Sequence, residues 1–176
     1  MGDKRAVLFC SSSAEIDPYF NQAARKIVRA ACLAGYSIVS GGTIKGMMNV
    51  IGDEVAALGG DHTGVLPRYF ESLVYPRLSR VIWTETMSER KSLMLQGSSL
   101  AIALPGGVGT LDEISEAFCL RKLGRYSGKI IVCNVKGFYD PLVQLFDHYV
   151  ATGMLDAGSR ALIEFPSTFE EFEKLI

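Results

Sequence analysis

The chain has 176 residues, of which 48% are hydrophobic and 21% charged, and its formal net charge is −1. That length and apolar content suit one domain, residues 1–176, with a substantial core. The near-neutral balance supplies no basic field to hold a polyanion, which argues against nucleic acid as a partner.

Short apolar runs alternate with longer segments of helical period. Ala6–Phe9 reads as a first strand, closed by Cys10 and the serines Ser11, Ser12 and Ser13. A helix follows from Pro18 to Ala34, because Ala23, Ile27, Ala30 and Ala31 recur at the spacing of one helical face. Gly35 ends it. Ser37–Val39 is the second strand, followed by Gly41-Gly42 and a helix from Met47 to Leu58 that Gly59-Gly60 terminates. His62–Leu66 is the third strand, stopped by Pro67, and Leu78–Trp83 the fourth. A helix from Ser88 to Gln96 leads to the strand Leu100–Leu104, and a helix from Thr110 to Leu123 follows. Lys129–Cys133 is the sixth strand and Asp140–Ala151 a helix. Ala161–Ile163 makes a final strand before a short helix from Thr168. Strands that are apolar throughout, separated by helices, predict an α/β fold: a Rossmann-like, three-layer α/β/α domain around a mostly parallel sheet. Ligands then bind at the carboxyl ends of the strands, where strand order reverses.

Pro105-Gly106-Gly107-Val108-Gly109-Thr110 joins an apolar strand to a helix. Glycines permit positive φ and close backbone approach, and a helix start offers free amides and partial positive charge. Such a turn suits phosphate, although the same residues also make a tight turn without a ligand. The segment is neither a Walker loop nor a G-x-G-x-x-G fingerprint. Glu113 lies three residues past Thr110, a spacing that fits two roles. It is either a capping box closed on Thr110 or a carboxylate beside the ribose of a bound nucleotide. Ser12 with Glu15, Thr86 with Glu89 and Ser167 with Glu170 repeat the capping spacing.

Arg90 and Lys91 stand in a predicted first helical turn, where the dipole disfavours cations. A nearby acid or anion is expected to compensate them, and arginine suits bidentate contact with phosphate or carboxylate. Ser40-Gly41-Gly42-Thr43-Ile44-Lys45-Gly46-Met47-Met48 also links a strand to a helix, either as a second wall of the cleft or as a simple connection with core methionines.

Cys10, Cys32, Cys119 and Cys133 include no C-x-x-C pair and lie in apolar stretches, so they read as buried free thiols of a cytoplasmic protein. Met1–Arg5 leads into an apolar run too short for a signal peptide or a membrane span. His62, His148 and the acids show no metal-ligand spacing, and no Gly-x-Ser-x-Gly elbow is present.

Pro105–Glu113 resembles the P-G-G-x-G-T-x-x-E signature of the LONELY GUY (LOG) family, and Met87-Ser88-Glu89-Arg90-Lys91 resembles its second motif, centred on Arg-Lys. The likeness runs from Val7 to the Gly137-Phe138-Tyr139 region. Members have often been labelled lysine decarboxylases, yet no lysine here is placed as a pyridoxal-phosphate site. The resemblance implies a phosphoribohydrolase of cytokinin biosynthesis, which cleaves the N-glycosidic bond of purine or cytokinin riboside 5′-monophosphates. It implies Arg90 and Glu113 as the catalytic pair, with Gly106, Gly107, Gly109 and Thr110 holding the phosphate. Ser12, Ser13, Lys91, Gly42 and Met87 join the nucleotide site. It also implies a homodimer, a small-molecule nucleotide as the partner, and neither cofactor nor metal. The second glycine segment departs from the family's Y-G-G-G-x-x-G-L-M-G, with Thr43 for a glycine and Asn49 at its end. Ser88 replaces a usual histidine. Both changes bear on the base. The alternative is a non-hydrolytic nucleotide or cofactor carrier on the same fold.

Overall fold

Seven strands make one sheet in the computed structural model, which describes residues 4–176. They are β1 (Lys4–Phe9), β2 (Tyr36–Ser40), β3 (His62–Pro67), β4 (Arg80–Thr84), β5 (Leu100–Ala103), β6 (Lys129–Val132) and β7 (Ile163–Glu164). Their order is β4-β3-β2-β1-β5-β6-β7, and every neighbouring pair is parallel. The charged opening Met1–Arg5 lies outside the described residues as far as Asp3.

The helices are α1 (Pro18–Leu33), α2 (Gly46–Ala57), α3 (Met87–Leu95), α4 (Val108–Lys122), α5 (Asp140–Ala151), α6 (Ala157–Arg160) and α7 (Phe169–Glu173). Alternation along β1 divides them into two layers. Ala6 and Leu8 face a cluster with Ile27, Val28 and Ala31 of α1, Met47, Ile51 and Val55 of α2, and Phe172 of α7. Val7 and Phe9 face the other side, against Met94 and Leu95 of α3, Ile114 and Phe118 of α4, and Phe146 of α5. Burying both faces explains why the strands are apolar throughout. The three-layer arrangement follows.

Local chemistry sets the ends of the elements. Asp17 caps α1 by accepting from the Tyr19 amide at 2.9 Å, Pro18 takes the first helical position, and Gly35 follows the end at φ 85°. Several boundaries differ from expectation by a few residues. One lies in the link from β6 to β7: the final strand begins at Ile163, because the Asp156 side chain caps α6 and draws Ala161 and Leu162 into its closing turn. The fourth strand begins at Arg80, because Ser79 is tied to the backbone of His62. A 3₁₀ helix, Arg68–Leu73, occupies the link after β3 and was not expected. Among the described residues no helix is long and apolar enough to cross a membrane.

β1 pairs with β2 on one side and with β5 on the other. The chain leaves β1 toward β2 and leaves β5 toward β6, so the two exits diverge. This is the point of strand-order reversal, and it opens a crevice at the carboxyl ends of the strands.

Candidate functional site

The loops leaving β1 and β5 are joined by backbone bonds, Leu104 N–H to Phe9 O at 2.9 Å and Ser11 N–H to Pro105 O at 3.3 Å. Beside them lies a cleft of about 440 Å³. Its floor and walls come from the exits of β1, β2 and β5, the starts of α3 and α4, and the 3₁₀ helix Arg68–Leu73.

The start of α4 corrects the sequence reading. Gly107, not Thr110, is the N-cap, and no side chain caps this end. The Leu111 amide bonds to Gly107 O at 3.0 Å, so the amides of Val108, Gly109 and Thr110 have no helical acceptor. Thr110 is buried inside the first turn, and a Cβ on Gly106 would strike its hydroxyl. Gly106 therefore allows the turn to close upon Thr110.

Glu113 forms no capping box. Its carboxylate faces Arg90 of α3, with Nη1 to Oε1 at 3.2 Å. Both residues are buried. Thr86 caps α3 by accepting from the Glu89 amide at 3.1 Å, which fixes where Arg90 leaves the helix. Arg90 also donates from Nε to Val65 O at 3.0 Å, and Gly41 lies so close to its Nη2 that a Cβ there would collide. The guanidinium is thus held by α4, β3 and the second glycine segment. Burial raises the Glu113 carboxyl to about 7, with the pull of Arg90 only partly offsetting it. A buried acid poised near neutrality can hold or take a proton. The Cys10 thiol beside the pair is pushed up, by burial first and then by Glu113, and stays protonated.

Lys91 has its own acids. Its ammonium bonds to Asp112 at 2.9 Å and Glu116 at 2.6 Å, one helical turn apart on α4. These contacts raise its pKa, with Glu116 the larger cause. Arg90, Glu113, Lys91, Met87, Ser12, Ser13, Gly107, Gly109 and Thr110 all line the cleft. Gly42 and Gly106 do not. Gly42 adopts φ 66°, and a Cβ on it would lie 2.6 Å from Gly64 Cα, so it serves the approach of β2 to β3.

The second glycine segment does form a wall, through Gly41, Thr43, Lys45 and Met48. An antiparallel bridge from Thr43 to Val74 brings Phe70 and Leu73 of the 3₁₀ helix alongside. Sequence reasoning missed these two apolar residues; Pro67 followed by Tyr69-Phe70 was the available signal.

Other expectations change as well. Cys119 is exposed and Cys32 half-buried, whereas the thiol of Cys133 and, within a partly exposed residue, that of Cys10 are enclosed. Ser12 and Glu15 start no helix, since α1 is capped by Asp17. The capping box at α7 is Thr168 with Glu171, one residue later than the Ser167 and Glu170 spacing.

Fold and site together define a Rossmann-like α/β protein whose switch-point cleft sets an uncapped helix start beside a buried arginine–glutamate pair. The family model described as "Possible lysine decarboxylase" matches residues 48–176. A rice (Oryza sativa subsp. japonica) relative, "Probable cytokinin riboside 5′-monophosphate phosphoribohydrolase LOGL1", is 33% identical over 95% of this chain and 76% of its own. The cytokinin riboside 5′-monophosphate phosphoribohydrolase LOG5 of Arabidopsis thaliana is 30% identical over 98% of this chain and 77% of its own. The chain belongs to the LOG family. The molybdenum cofactor carrier protein MCP of Chlamydomonas reinhardtii shares the fold, with a TM-score of 0.76 at 18% identity over 98% of this chain and 95% of that one.

Proposed function

We propose that this chain is an N-glycosidase that converts a purine or cytokinin riboside 5′-monophosphate to free base and ribose 5-phosphate. The observation that carries the reading is the Arg90–Glu113 pair, buried beside the amides of Val108, Gly109 and Thr110. Those amides suit the 5′-phosphate. The sugar then lies toward Glu113, the buried acid of that helix.

Breaking the C1′–N bond develops oxocarbenium character on the ribose. The Glu113 carboxylate stabilises that charge and takes a proton from the attacking water. Oxygen bonds to C1′, the C1′–N electron pair leaves with the base, and the base takes a proton from solvent while Glu113 gives up the one it received, so that one water is consumed. Arg90 orients Glu113 through Nη1 and is itself anchored on Val65 O. A carboxyl near 7 has the proton affinity such a base requires. The names of the LOG relatives support this activity. A homodimer in a reducing, cytoplasmic setting completes the proposal, and the four free cysteines accord with that setting.

The test is incubation with AMP and isopentenyladenosine monophosphate, followed by chromatography. Base release from either supports the proposal, and no release from a panel of purine monophosphates refutes it. Glu113→Gln is expected to lower kcat by about 10³-fold while leaving AMP affinity within about threefold. The same variant at full activity removes Glu113 from catalysis. The carrier reading has the fold of MCP behind it. An intact ligand retained through purification, with no turnover, decides for it.

A further inference from the structure

Three cations line the cleft: Arg90, Lys91 and Lys45. Arg90 is committed to Glu113 and Val65 O. Lys91 is bracketed by Asp112 and Glu116, so its surroundings already carry more negative than positive charge. An incoming phosphate dianion meets those carboxylates as well as the ammonium, and little net attraction remains. Lys45 differs. Its amide donates to Thr43 Oγ1 at 3.3 Å, but among the described residues its ammonium forms no ion pair and no hydrogen bond, and the residue is exposed at the cleft wall.

Its position is fixed by its neighbours. Gly46 packs so tightly on the serine loop that a Cβ there would lie 2.6 Å from Ser12 C. The Met47 amide bonds to Ser11 O at 3.1 Å. Ser11 in turn bonds to Pro105 O, at the entry to the phosphate turn. A continuous run of backbone contacts thus ties the segment carrying Lys45 to the corner formed by the start of α4. Ser12 and Ser13 of that loop also line the cleft.

We infer that Lys45, rather than Lys91, is the cation that meets the substrate phosphate and selects phosphorylated over unphosphorylated ligands. This rests on the phosphoribohydrolase reading for the substrate, but not for the measurement. Lys91 instead joins α3 to α4 and thereby positions the helices that carry Arg90 and Glu113. An exposed ammonium contributes through a screened charge, so its effect fades with salt.

The experiment is calorimetric titration of the full chain with ribose 5-phosphate and with ribose, at low and high ionic strength. Lys45→Met is expected to weaken ribose 5-phosphate binding about tenfold at low salt, in the range of a charge-assisted hydrogen bond. Ribose affinity stays unchanged, the difference shrinks at high salt, and Lys45→Arg restores most of the loss. Because Lys45 is exposed, an unaltered melting temperature verifies that the variant folds. Equal ribose 5-phosphate affinity in Lys45→Met and wild type at low salt overturns the inference, as does a wild-type chain that binds none. A chain that binds ribose 5-phosphate through Lys45 but releases no base from AMP overturns the hydrolase alone.

Discussion

Two buried titratable groups pull stability in opposite directions with pH. Burial raises Glu113 to about 7 from an ordinary 4.5, so between those values the folded chain holds a proton that the unfolded chain has released. Its contribution is present below about 4.5 and is lost as pH rises through 7. Burial lowers His62 to about 4 from an ordinary 6.5, with its Nε2 2.8 Å from Ser40 Oγ. Its contribution is present above 6.5 and is lost as pH falls through 4. The slopes overlap, so each is read by difference. Glu113→Gln is expected to gain stability relative to wild type as pH rises from 4.5 to 7. His62→Gln gains as pH falls from 6.5 to 4. Urea denaturation across that range checks both, and parallel curves for variant and wild type contradict the assignment. Turnover follows the ionised carboxylate, so kcat/KM is expected to rise with pH through about 7 and then level off.

At the scale of elements, the two glycine segments do different work from what their sequences suggest. Gly42→Ala places a methyl against the backbone of Gly64 at a left-handed φ. It is expected to cost about 3 kcal/mol in chemical denaturation, combining backbone strain with a clash that cannot relax. Gly41→Ala meets the Arg90 guanidinium and the Met48 sulfur, at 2.7 Å for the latter. The Met48 thioether can yield, but the guanidinium is held on Val65 O and Glu113, so the methyl is expected to displace it from Glu113 and to lower kcat as well as stability. The Ser/Thr-x-x-Glu spacing was an ambiguous guide to helix starts. It held at Thr86 with Glu89, where no glycine competes. It failed at Thr110 because Gly107, three residues earlier, already supplies the break in helical geometry. Phe70 and Leu73 escaped notice because a six-residue 3₁₀ helix carries no helical period. Only the bridge from Thr43 to Val74, 31 positions away in the chain, brings them to the cleft.

For the whole molecule, alternation of apolar strands with helices made a layered parallel sheet legible in the sequence, and the Pro105–Thr110 turn placed a helix start with free amides at a strand end. Arg90 and Lys91 beside an expected helix start signalled compensating acids; α3 begins at Met87, which puts Lys91 past the first turn, yet the structure supplies Glu113 for Arg90 and Asp112 with Glu116 for Lys91. Strand order was not legible, since it depends on pairings between β1 and β5 across some 90 residues of chain. Nor was the neutralisation of Lys91, which needs α3 and α4 side by side. A sheet buried on both faces makes a pre-formed cleft, so binding stabilises the fold by mass action. Saturating ribose 5-phosphate at a hundredfold excess over its Kd is expected to add about 2.7 kcal/mol and to raise the melting temperature.

The proposed hydrolysis depends on where a phosphorylated sugar sits. A crystal structure with ribose 5-phosphate tests this most directly. The predicted result places the phosphate on the amides of Val108, Gly109 and Thr110, with C1′ facing the Glu113 carboxylate. A phosphate bound elsewhere, or a sugar turned away from Glu113, contradicts it.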